Sequence, residues 1–169
     1  MTTSLVLTVI ADDKPGIVEH ISAVISAHNG NWTESRMASL AGKFAGIIHV
    51  KLEDEAYEPL IADLGALAGK GIEIRAERGS NDEEGSHHLN LSLVGNDRAG
   101  IVSEVSGKMA KLGVNVLELT TYCFQAEMTG VTMFHADAEL QVPDELDDDD
   151  VKEALEQLSD ELMVEITPA

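Results

Sequence analysis

Shifted by 84 residues, the sequence lies along itself. Leu5 to Val50 then run beside Leu89 to Phe134 without a gap. Identities fall at Leu5/Leu89, Leu7/Leu91, Asp13/Asp97, Gly16/Gly100, Ile17/Ile101, Val18/Val102, Ser22/Ser106, Asn31/Asn115, Glu34/Glu118 and Gly46/Gly130. Lys14/Arg98, Ile21/Val105 and Ile47/Val131 are similar pairs. Self-similarity at one spacing means two copies of one small domain. They are expected over 1–78 and 87–169, joined by the polar, glycine-containing segment 79–86.

Each copy reads as βαββαβ. Apolar residues occupy alternate positions at Leu5, Leu7 and Val9, and at Leu89, Leu91 and Leu93, as in a strand that buries one face and turns Asn90 and Ser92 outward. Helical spacing follows at Ile17, Ile21, Val24, Ile25 and His28, and at Ile101, Val105, Met109 and Leu112. Gly30 and Gly113 lie near the ends of these helices, and strands are expected over 31–40 and 44–52, then over 115–124 and 129–138. A helix over 56–68 and a strand over 72–76 complete the first copy. A helix through Val151, Ala154, Leu155 and Leu158 and a strand over 163–167 complete the second. This order predicts an α+β, ferredoxin-like fold in each copy, an antiparallel sheet with both helices on one face. Its free edges invite pairing of copies, and with it a homodimer.

With 11 Lys+Arg against 31 Asp+Glu, the formal charge is −20. Such a surface repels phosphate, which argues against direct contact with nucleic acid or an anionic membrane. A role in gene control would need a protein partner. No stretch approaches transmembrane length, and Met1 to Ala11 reads as a strand and not as a signal peptide. The single cysteine, Cys123, forms no internal disulfide and suits a reducing cytoplasm. No cofactor or metal is expected.

The best-matched segment joins the first strand to the first helix: Asp13-Lys14-Pro15-Gly16-Ile17-Val18 and Asp97-Arg98-Ala99-Gly100-Ile101-Val102. A helix start presents free N–H groups, and a glycine there lets a carboxylate approach the backbone. Asn31 and Asn115, each 15 residues past the glycine, carry amides that both donate and accept, which together with the loop would suit an amino acid. The plainer reading is that Asp13 and Asp97 cap helices, the glycines permit turns and the asparagines end helices. Both readings are open on spacing alone.

The pattern D-x-P-G-I-V with an asparagine 15 residues beyond the glycine, inside a βαββαβ unit, resembles the ACT domain. The tandem pair, with no catalytic domain attached, is similar to the transcriptional repressors of the glycine cleavage system. The resemblance implies a non-enzymatic regulator that binds a small amino acid, glycine by preference, where paired domains meet, and that acts on a LysR-type activator protein. Ligand residues by position would be Asp13, Pro15, Gly16, Ile17 and Asn31, with Asp97, Gly100, Ile101 and Asn115. Ala99 stands where the first copy has Pro15, and aspartate stands where some serine-binding members carry asparagine.

Other residues have plainer readings. Cys123 would be the nucleophile if the chain were a small enzyme, but no motif sets a base beside it. A detached regulatory subunit of a metabolic enzyme is the other alternative. His87-His88 adjoin the linker and read as solvent-exposed, and no third ligand stands at zinc spacing. His20, His28 and His49 read as surface or satisfied core residues. Asp147 to Asp150 reads as a solvated helix start. The connection 138–150 has no counterpart of equal length in the first copy, and Trp32 reads as a core or interface residue.

Overall fold

The computed structural model describes residues 1–80 and 85–169. Two compact units, Met1–Asp82 and Glu83–Ala169, each enclose one hydrophobic core. Of the expected linker, residues 81–84 lie outside the described residues, and Ser86 already opens a strand.

The first unit runs β1 (Thr2–Asp12), α1 (Ile17–Ala27), β2 (Asn31–Leu40), β3 (Lys43–Glu53), α2 (Tyr57–Gly65) and β4 (Ile72–Arg78). Its sheet has the antiparallel order β2-β3-β1-β4. Leu5, Leu7 and Val9 are fully buried, as their alternation requires, and pack with Ile17, Ile21 and Ile25 of α1 and Leu60 and Leu64 of α2. The expected helix over 56–68 is shorter, because Ala66–Lys70 tightens into a 3₁₀ turn that Gly71 ends at φ 80°. After α1 the left-handed residue is Asn29 (φ 56°), not Gly30.

The second unit repeats the order with β5 (Ser86–Asn96), α3 (Ile101–Lys111), β6 (Asn115–Gln125), β7 (Thr132–Pro143), α4 (Asp148–Glu156) and β8 (Met163–Pro168), in a sheet ordered β6-β7-β5-β8. Both domains carry a β-bulge at the same place in the edge strand, between Trp32 and Glu34 and between Val116 and Glu118. Each bulge lets the strand keep its alternation on either side of one extra residue.

Two expectations need correction. The gapless repeat ends with β2: Leu5 pairs with Val50, whereas Leu89 pairs with Leu140, so the offset rises from 84 to 90. The six extra residues lie in the β6–β7 hairpin, and Gly46 corresponds in register to Ala136, not to Gly130. Strand β7 accordingly runs from Thr132 to Pro143, not over 129–138. The supposedly long connection 138–150 is divided between the end of this strand and the start of α4, and only 144–147 separate the two. There Asp150 Oδ2 accepts the Asp147 N–H at 3.2 Å, closing the acidic helix start on itself.

Candidate functional site

Both glycine loops have one geometry. Gly16 (φ 95°) and Gly100 (φ 85°) are left-handed and stand directly before α1 and α3. Their carbonyls accept the first turn's N–H from His20 at 2.9 Å and from Glu104 at 3.0 Å. No side chain caps either helix, so the first-turn N–H groups stay open to a bound acceptor. That corrects the capping role read for Asp13 and Asp97. Asp13 instead accepts a hydrogen bond at 2.7 Å from Ser39 on β2. Cys123 holds the matching position on β6, where desolvation and the Asp97 carboxylate raise its thiol pKa. The backbone N–H groups of both aspartates bond the hairpin tip, Asp13 to Gly42 O and Asp97 to Thr132 O, each at 3.0 Å.

The two loops differ in charge. In the first, Lys14 donates to Lys70 O at 2.6 Å, and Lys43 pairs with Asp12, which holds the Asp12 carboxyl below the usual carboxylate range. The half-buried ring of His20 lies beside Gly16: a Cβ on that glycine would stand 3.6 Å from its Nε2. In the second loop Glu104 replaces His20 and pairs with Arg98. The hydrogen bond that Arg98 donates to the Glu104 carboxylate holds Glu104 low and Arg98 high. Sequence reading missed His20 and Glu104. The signal was present, since a residue four beyond the glycine shares its helix face.

The other expected ligand residues divide. Pro15 is exposed in the first loop. Ile17 and Ile101 are 3% and 4% exposed, so their side chains belong to the cores and only their backbone can meet a ligand. Asn31 and Asn115 are exposed, but each stands at the opposite end of its own sheet. Asn31 is level with Ser4 and Asn115 with His88, whereas the loops follow Asp12 and Asn96. Eight strand residues, roughly 26 Å, separate the asparagine from the glycine loop of its domain. No small amino acid can touch both within one domain, and Asn115 instead donates to Gln141 at 3.3 Å.

Cys123 is exposed, and its thiol titrates above the ordinary range, first through desolvation and second through the Asp97 carboxylate. His87 is not simply solvated: its ring faces Asp144 at 3.3 Å and Asp148 at 3.2 Å. His28 meets Asp63 at 2.7 Å, His49 bonds Ser4 and Thr33, and Trp32 packs on the first core. Among the described residues no three His, Cys, Asp or Glu side chains are grouped to hold a metal ion, and no helix is long and apolar enough to cross a membrane.

Residues 3–76 match the sequence model of the ACT domain. The first domain is an ACT domain. The second repeats its order of elements, its order of strands and the left-handed glycine before the first helix, so the chain is a tandem of two ferredoxin-like folds. A protein of unknown function from Galdieria sulphuraria, 29% identical, superposes with a TM-score of 0.84 over 100% of this chain and 99% of its own. A candidate glycine cleavage system transcriptional repressor, 16% identical, superposes with a TM-score of 0.72 over 100% and 99%. No curated protein sequence matches. The full-length likenesses to these solved structures show the fold.

Proposed function

We propose that this protein is a cytoplasmic, amino-acid-responsive regulator without catalytic activity of its own, which binds glycine at its ACT loops and represses the glycine cleavage system through a LysR-type activator. One observation carries the reading: the uncapped helix start behind a left-handed glycine, tied to the hairpin through the N–H of an aspartate, occurs in both domains. A purely structural turn would need no such repetition of open N–H donors. The charge of −20 supports action through a protein and not on DNA, and the full-length likeness to a candidate repressor supports the target. A raised thiol pKa weighs against Cys123 as a nucleophile. The exposed edge strands β2 and β6 support a homodimer.

Glycine bound only by the native state stabilises one arrangement of the molecule, and a partner that recognises it gains roughly 1–3 kcal/mol of coupling. The test is a thermal-shift screen against the amino acids, followed by calorimetric titration. Glycine should raise the transition, and Gly16→Val should remove the response of the first domain while it stays folded. A Gly16→Val titration identical to wild type sinks the loop as the site.

A further inference from the structure

In the second domain α3 and β6 leave a cavity of about 50 Å³, and its exposed lining is apolar. Register shows which residues differ at the same place in the first domain. Trp32, Met37 and Ile48 hold the positions that Val116, Thr121 and Ala138 hold in the second domain, pairing with Val50, Gly46 and Leu7 where the latter pair with Leu140, Ala136 and Leu91. All three changes remove side-chain volume from the same place. In the first domain the indole of Trp32 is pinned by a 3.0 Å hydrogen bond from Nε1 to Ser35 Oγ. Met37 lies against Gly46, where a Cβ would come within 2.7 Å of its Cγ. There the larger side chains of Trp32 and Met37 pack against the first core. In the second domain the rim leaves Val102, Val116 and Leu119 between 38% and 50% exposed. Close-packed interiors seldom keep such voids, and an apolar one holds water poorly.

We propose that this cavity is a side-chain pocket for the ligand of the second domain, and that it takes a branched aliphatic group, as carried by valine, leucine or isoleucine. A water-sized sphere needs roughly 10–15 Å³, so the space accommodates a group of isopropyl to isobutyl size and no ring as large as indole. Val102, in its wall, lies in the first turn of α3, two residues past Gly100. The inference rests on the reading of that loop as an amino-acid site. It divides the two domains: the first accepts glycine, whereas the second selects an aliphatic side chain.

Calorimetric titration of the full chain with glycine, L-valine, L-leucine and L-isoleucine tests this, together with the double variant Thr121→Met/Ala138→Ile, which installs the residues of the first domain. At least one branched amino acid should bind about tenfold or more tighter than glycine to one site per chain. The double variant should lose that site, keep the glycine isotherm and melt no lower than wild type. Ala138→Val, a smaller filling, should weaken the same site if the double variant misfolds. Glycine binding with no branched-chain preference overturns the pocket and leaves the proposed function standing, whereas no binding of any amino acid overturns both. Retention of branched-chain binding in the filled variants also overturns the pocket. So does a filled variant that loses self-association when wild type shows no branched-chain response, since the occupant is then a second copy.

Discussion

Replacing Gly16 by alanine isolates one term of the energetics. A Cβ there meets nothing closer than His20 at 3.6 Å, an ordinary contact, so the cost comes from the backbone alone. Holding an L-residue near φ 95° costs about 1–2 kcal/mol. Gly65 in α2 is the internal control: it too has open space for a Cβ, but its φ is −60°. Alanine there should gain about 0.5–1 kcal/mol, because glycine loses more freedom on entering a helix. The two variants of one domain should therefore differ by about 1.5–3 kcal/mol. With a urea slope of about 1.5 kcal/mol/M, that separates their midpoints by roughly 1–2 M. Trp32 is the only tryptophan and packs on the first core, so its fluorescence follows the first domain alone. A Gly16→Ala midpoint at or above wild type would refute the left-handed geometry of the loop, and with it the open helix start.

Two further outcomes follow from the second loop. Cys123 should alkylate slowly at pH 8, and Asp97→Asn should quicken it, because removing the carboxylate leaves desolvation as the brake on thiolate formation; equal rates would show that the carboxylate does not act on the thiol. Glu104 should titrate by NMR below an ordinary glutamate, and Arg98→Gln should move it up. Since its folded pKa is the depressed one, the pair adds stability above the unfolded glutamate value and loses it as pH falls through the folded value. An unmoved midpoint in Arg98→Gln would show that the pair does not form in solution.

Much of this was legible in the sequence. The alternation of Leu5, Leu7 and Val9 and the 3.6-residue spacing of Ile17, Ile21 and Ile25 fix which faces are buried, and the structure buries them. The hairpin extension escaped for a physical reason. Six is even, so a strand aligned six residues out of register keeps its inward and outward positions, and Gly46 beside Gly130 looks as convincing as the true match. The glycine loops were legible because a left-handed turn before a helix has few sequence solutions. Asn31 was misjudged because proximity in a ferredoxin-like sheet follows the direction of the strand: a residue that opens β2 lies at the far end from one that closes β1. The cavity was beyond reach, since it depends on three residues that meet only through strand register.

The two cores share no residue. A void costs the stability of the domain that holds it, and substitutions without shared partners add independently. Smaller side chains in the second core therefore cost the second domain alone, and the first, with its tryptophan and methionine, keeps its own stability whatever the second gives up for a space beside its helix.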